Sequence, residues 1–294
     1  MKKKIEGVLT AIVTPFERDG ALNTPELANQ VNRQLDAGNG IFCGGTNGEF
    51  FVLNEKEKIA VTETCVTTVA GRANVVAHIG EISTRETIRL GKEIEKLGVD
   101  AVSVITPYFV PLKQDELIAH YSAIADALSV PVFLYNIPAR TGNTLEPQTT
   151  RTLARHGNII GIKDSAGSYA SLSGFLEAVK DIDQFDVLNG PDSLIHQGFV
   201  EGCSACISGL ANVAPRQINA IWTAFKAGDI SASQQAQENV TRLRTDLYNV
   251  AFSPAAVKQA LLLMGYPVGE SRYAVQFSEQ MNQQIRQIVT QSLM

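Results

Sequence analysis

The chain has 294 residues, 45% of them hydrophobic and 19% charged, with a net charge of −5 at neutral pH. That suits one large domain, or one domain with an appendage, around a sizeable core. No lysine/arginine stripe favours nucleic acid and no run approaches the ~18 apolar residues of a membrane helix, so a soluble acidic enzyme is the plain expectation; four scattered cysteines, too few for a disulfide framework, point to the cytoplasm.

The opening "MKKKIEGVLTAIVTPF" starts like a secretory leader, but Glu6, Gly7, Thr10, Thr14 and Pro15 break its apolar stretch and no small-residue cleavage site follows. In chain order, eight short apolar runs come at 7–16, 41–46, 74–79, 101–107, 131–137, 159–165, 186–191 and 205–210. They are continuous rather than alternating, as strands covered on both faces should be. Amphipathic segments lie between them. "TPELANQVNRQLDAG" (24–38) predicts a helix with Thr24 as its N-cap and Pro25 in first position, and "STRETIRLGKEIEKLG" (83–98) predicts another. The joints "AGNGIF", "LGVDAV" and "EGCSAC" each put a glycine past a helix end, where a left-handed backbone is needed.

Eight such units without a long linker predict an α/β fold, a (β/α)8 TIM barrel with a C-terminal helical extension. A doubly wound open sheet is second choice, since the first strand ends in "TPFERDG" and not in a glycine-rich dinucleotide turn. From about 215 onward four helical segments replace the strand pattern. The expected division is a barrel over 1–225 and a helical region over 226–294 packed on the barrel or on a neighbouring subunit.

A barrel of this kind works at the C-terminal ends of its strands. The residues placed there are Thr46 and Asn47 after strand two, His78 at strand three, Tyr108 after strand four, and Tyr135 with Arg140 after strand five. Lys163 ends strand six, and Gly190 and Ile207 belong to strands seven and eight.

Lys163 closes the most apolar of these runs, "NIIGIKDSAG", so its stem starts deep, whereas Asp164 must face the other side of the strand. Desolvation favours a neutral amine, and a neutral amine adds to a ketone to form a Schiff base. The competing reading is a lysine that snorkels out to solvent. Strands five and six are neighbours in a barrel, so Tyr135 can reach Lys163 and carry the protons of carbinolamine dehydration; a tyrosine merely packed at the rim is the alternative. "GGTNGEFF" (44–51) reads as a hairpin, a phosphate loop or a small-residue turn. The third is preferred, its N–H groups and the Thr46 hydroxyl binding a carboxylate such as that of an α-keto acid. Arg140 is placed to grip a second carboxylate, or else to form a surface ion pair. His78, His120, His156 and His196 are scattered without metal-ligand spacing, core packing is the expected role of His78, and no metal is implied. Cys203 and Cys206 form a C-x-x-C that reads as buried and inert.

"GTNGEF", "YNIPARTG" and "GIKDSAG", in that order and at those strand ends, resemble the dihydrodipicolinate synthase and N-acetylneuraminate lyase family over essentially the whole chain. The resemblance implies a class I, pyruvate-dependent lyase or aldolase with no cofactor, usually a homotetramer arranged as a dimer of dimers. By it Lys163 is the Schiff-base lysine, Tyr135 the proton donor and acceptor, and Thr46 the relay threonine. It also places the pyruvate carboxylate on the Thr46–Asn47 turn and makes Gly190 and Ile207 pocket-lining positions. Arg140 matches the arginine with which the synthases hold aspartate semialdehyde. Two positions depart from the synthase pattern: Asn47 stands for a second threonine, and Tyr108–Phe109 for a tyrosine pair whose second member reaches into a neighbouring subunit's site.

The leading expectation is therefore condensation of pyruvate with an aldehyde, dihydrodipicolinate synthase-like because of Arg140. Asn47 and Phe109 keep open a 2-keto-3-deoxy sugar-acid, 4-hydroxy-2-oxoglutarate or N-acetylneuraminate-type aldolase. From other classes come a catalytically idle keto-acid-binding paralogue and a metal-dependent barrel hydrolase.

Overall fold

A computed structural model describes residues 4–293; the basic opening of the chain, residues 1–3, lies outside the described residues. In chain order the elements begin with β1 (Gly7–Ala11), α1 (Thr24–Leu35), β2 (Gly40–Cys43), α2 (Glu55–Val69), β3 (Val75–His78) and α3 (Thr84–Glu95). They continue with β4 (Ala101–Ile105), α4 (Gln114–Ala127), β5 (Val132–Asn136), α5 (Pro138–Thr141), α6 (Pro147–Leu153), β6 (Ile159–Asp164) and α7 (Tyr169–Val179). The last are β7 (Asp186–Asn189), α8 (Ile195–Val200), β8 (Ala205–Ser208), α9 (Pro215–Lys226), α10 (Ile230–Tyr248), α11 (Ser253–Leu263) and α12 (Glu279–Leu293).

All eight expected strands form, in the order β1 to β8 of a closed barrel, so the chain is a (β/α)8 TIM barrel with helices after its last strand. β1 pairs with β2 in parallel, and β3 through β8 pair in parallel in turn. Among the described residues no helix is long and apolar enough to cross a membrane.

The glycines at the joints do what their spacing predicts. Gly38, Gly98 and Gly202 have φ of 81°, 84° and 105°, left-handed values that cost a residue with a Cβ about 1 kcal/mol or more. One helix start differs from expectation. Thr24 is already helical, and the N-cap of α1 is Asn23, whose side chain accepts from the Glu26 N–H at 2.9 Å. The start is set by the Asn23 amide, which satisfies an otherwise unpaired N–H of the first turn, and Pro25 falls in second rather than first position.

The chain divides into two compact units. One comprises Asn74–Ile207 with the residues up to Gly7; the other comprises Val8–Ala73 with the residues from Ser208 on.

In the first unit, β3 to β8 pair in sequence, and register decides which side chains meet. His78 stands beside Ser103, Ser103 beside Phe133, and Phe133 beside Gly161. Two residues further along, Ile105, Tyr135, Lys163 and Leu188 form the next row. Gly161 has no room for a side chain: a Cβ there would fall 2.4 Å from Phe133 Cε1 and 2.4 Å from the Asp186 carbonyl oxygen. The ring of Phe133 thus fills the layer beneath Tyr135 and Lys163.

In the second unit, β1 pairs with β2 and α9 to α12 follow. Asn212, fully buried, ties β1 to the turn after β8. Its Oδ1 accepts from Val13 N at 3.1 Å, and its Nδ2 donates to the carbonyls of Ala11 and Gly209, each at 2.8 Å.

Candidate active site

Register places Tyr135 directly beside Lys163, and both are buried, 2% and 5% exposed. The lysine therefore does not snorkel. Its Nζ lies 4.0 Å from the centroid of the Tyr135 ring, over the face of the phenol. A cation gains from such a face.

The next residues on the two strands point the other way, as the period of two requires. Asn136 donates from Nδ2 to Asp164 Oδ1 at 2.8 Å, and its own Oδ1 accepts from Leu145 N at 3.0 Å. Asp164 also accepts from Ala166 N at 3.2 Å, and burial holds its carboxyl above the ordinary value. This outer layer locks β5 to β6 and so fixes the spacing of Tyr135 and Lys163 on the inner one.

His78 completes the cluster. It is buried, and its ring meets that of Tyr135 edge-on, with centroids 5.9 Å apart at 87°. The core packing expected of it is packing against the tyrosine itself. A Cβ at Gly80 would fall 2.8 Å from His78 Cε1 and from Ile105, so a glycine there lets β3 pass the histidine.

Gly190 follows β7 and hugs the turn after Lys163. Its N–H donates to the Asp164 carbonyl at 2.8 Å, and a Cβ would sit 2.0 Å from Ser165 Oγ. Ile207 lies buried in β8. Arg140 is exposed on the single turn α5, five residues past Tyr135. Tyr108 is half-buried in the segment after β4, where burial and then the nearby Glu81 carboxylate hold its phenol above the ordinary value.

That segment is clamped from the loop after β5. Asn143 donates from Nδ2 to the carbonyls of Pro107 (2.7 Å) and Val110 (2.8 Å) and accepts at Oδ1 from Leu112 N (2.8 Å). Thr106 Oγ1 donates to Thr141 Oγ1 at 2.9 Å. The clamp holds up a tip in which Phe109 is 92% exposed with φ of 74°, a conformation costly for an aromatic residue.

Thr46 and Asn47 belong to the second unit. "GGTNGEF" leaves β2 as a turn: Glu49 N donates to Thr46 O at 3.1 Å, and Phe50 N to Gly45 O at 3.3 Å. No strand returns, so the hairpin reading falls and α2 follows. Both residues are partly exposed; Asn47 Oδ1 is a buried atom without a hydrogen-bond partner, and a Cβ on Gly209 would fall 2.6 Å from Asn47 Nδ2. Glu49, at the end of the turn, is left-handed with φ 56° and ψ 37°.

Sequence reasoning missed Glu49 and its partner Lys258, whose Nζ and Oε1 are 2.8 Å apart, and Asn136 and Asn143 as positioning groups. Lys258 lies inside the apolar "SPAAVKQALLLMG", the same signal that drew notice to Lys163. Burial pulls its ammonium down to about 8 while Glu49 works in the opposite direction. Cys203 and Cys206 are buried as expected, and burial pushes the Cys203 thiol up to about 12 and that of Cys206 upward as well.

Comparison with known proteins gives a family match over nearly the whole chain. The model of the dihydrodipicolinate synthetase family matches residues 4–292. A 4-hydroxy-tetrahydrodipicolinate synthase of Pelobacter propionicus is 36% identical over 268 residues, 91% of each chain. An uncharacterised DapA-like lyase of Halobacterium salinarum is 35% identical over 269 residues, 91% of this chain and 87% of that one. Among solved structures, YagE, a prophage protein of E. coli K12 crystallised with pyruvate, superposes with a TM-score of 0.94 at 30% identity, covering 98% of this chain and 99% of its own.

Proposed function

The chain belongs to the dihydrodipicolinate synthetase family and is a class I lyase; within that class we propose that it joins pyruvate to an aldehyde, or cleaves the joined product, through an imine on Lys163. The observation that carries this reading is the buried amine over the Tyr135 ring. Lys163 attacks the ketone carbon of pyruvate, and loss of water from the carbinolamine leaves an iminium. Loss of a proton from the pyruvate methyl group gives the enamine, whose carbon attacks the aldehyde carbon to form the new C–C bond. Water then hydrolyses the iminium and returns the free lysine. Tyr135 carries the protons, with Thr46 as its relay, and the Thr46–Asn47 turn takes the carboxylate. Gly190, Ile207 and Tyr108 line the pocket in this reading. Lys258, also buried in an apolar run, meets the Glu49 carboxylate, whereas Lys163 lies over the Tyr135 phenol that can carry the protons, which supports Lys163 as the nucleophile.

Arg140 supports aspartate semialdehyde as the aldehyde, its guanidinium gripping the second carboxylate. A second reading rests on Asn47. Its buried Oδ1 is an acceptor without a donor, which suits a hydroxyl of a 2-keto-3-deoxy sugar acid better than a carboxylate. The assembly in this proposal is a homotetramer, supported by the exposed and rigidly held Phe109 tip, and sedimentation of the intact protein tests it.

Incubation with pyruvate and borohydride, followed by peptide mapping, tests the chemistry. The reduced adduct is expected on Lys163; no adduct, or one on Lys258, would overturn the assignment. Turnover with aspartate semialdehyde against a panel of keto-deoxy sugar acids then decides between the two substrates.

A further inference from the structure

The second unit contains an ion pair that the imine chemistry does not use. Glu49 and Lys258 are each 1% exposed and lie 209 residues apart in sequence. Both carboxylate oxygens are engaged: Oε1 by Lys258 Nζ at 2.8 Å, and Oε2 by the backbone N–H of Arg272 at 3.1 Å. Lys258 Nζ and the Arg272 guanidinium stand over the same Phe16 ring, 3.9 and 4.1 Å from its centroid. Arg272 in turn grips Glu57 with both terminal nitrogens, at 2.7 and 2.9 Å. The glutamate is thus held by α11 and by the segment before α12, and that segment is fastened to α2.

A buried ion pair is a poor source of stability, because well-packed apolar residues of the same volume do as well or better. What it provides is one geometry. The geometry here is unusual, since Glu49 is left-handed in a turn that already includes Gly44, Gly45 and Gly48. Glycine is the cheap residue for that backbone, and the two contacts of the Glu49 carboxylate offset the cost of a residue with a Cβ there. Its N–H closes the turn on the Thr46 carbonyl, and the Thr14 hydroxyl pins the Gly48 carbonyl at 2.7 Å.

We propose that Glu49 and Lys258 are positioning residues for the keto acid: their ion pair holds the Thr46–Asn47 turn in the shape that receives the substrate carboxylate. The proposal rests on the reading of that turn given above. Neither residue touches the substrate. Each acts through the turn, so its loss weakens capture of pyruvate and leaves the chemistry on Lys163 able to proceed at saturation.

The test is the pyruvate dependence of borohydride trapping in the intact protein, with thermal melts alongside. It compares the wild type with Glu49→Gln, Lys258→Met, the double variant and Glu49→Asp. Each single variant is expected to raise the half-saturating pyruvate concentration about tenfold or more, while the adduct formed at saturation stays at the wild-type level. The double variant, which buries no lone charge, is expected to regain much of the melting temperature but not the affinity. Glu49→Asp keeps the charge and the fold and is expected to weaken pyruvate capture too, because the shorter acid draws the turn inward. Recovery of both stability and affinity in the double variant would mean a purely structural pair and overturn the proposal, as would wild-type affinity in Glu49→Asp. A wild type that traps no pyruvate at all is the separate outcome in which the imine reading fails, and this inference with it.

Discussion

Replacing Gly161 by alanine probes the link between packing and chemistry most directly. The added Cβ would lie 2.4 Å from Phe133 Cε1, 2.8 Å from Cδ1 and 2.4 Å from the Asp186 carbonyl oxygen. The ring has no space to leave, since Phe133 is buried in the layer below Tyr135. The carbonyl is backbone on the strand that pairs with Gly161, so β6 and β7 must part by about 1 Å to reach an ordinary contact. Overpacking costs about 1–3 kcal/mol, and a clash with backbone belongs at the upper end. At about 2–4 °C per kcal/mol for a chain of this size, the melting temperature should fall by about 6–12 °C. The same displacement is passed along β6 to Lys163, two residues on, and a 1 Å misplacement of a reacting group slows chemistry by about a hundredfold. Calorimetry and the rate of borohydride trapping read the two effects. Adding Phe133→Leu should restore part of the stability, because it removes the ring contact and leaves the carbonyl one. An unchanged melting temperature together with an unchanged trapping rate would refute the argument.

Tyr135→Phe keeps the ring beside Lys163 but removes the phenol proton; kcat should drop by about a hundredfold or more with little change in stability, as steady-state kinetics and a melt would show. His120 gives a pH dependence. Its ring is buried, with Nδ1 2.8 Å from Thr84 Oγ1, and burial lowers its pKa to about 4 from an ordinary 6.5. The unfolded chain takes up this proton below about 6.5 and the folded one only near 4, so the group contributes nothing at pH 7.5 and lowers stability as pH falls through that window. The loss is about 3 kcal/mol by pH 4. Urea denaturation of wild type and His120→Gln at several pH values checks this, and equal slopes in the two proteins would count against it.

Much of the architecture was legible in the chain by itself. A strand covered on both faces must be apolar at every position, so the eight runs announce themselves. The opposite facing of Lys163 and Asp164 follows from a period of two, and the left-handed glycines follow from the cost of a Cβ there. These are properties of neighbours along the backbone. What only the tertiary structure decided are contacts between residues far apart in sequence. The Tyr135 ring lies across Lys163 Nζ, and His78 stands against that ring. Phe133 occupies the space that Gly161 leaves, and Lys258 meets Glu49. Each depends on strand register and on how side chains fill a shared volume, and no periodicity along the chain encodes either. Lys163 and Lys258 show the difference. Both interrupt apolar segments, so pattern alone treats them alike; an acidic partner 209 residues away makes one a strut, and a tyrosine on the adjoining strand leaves the other beside a phenol.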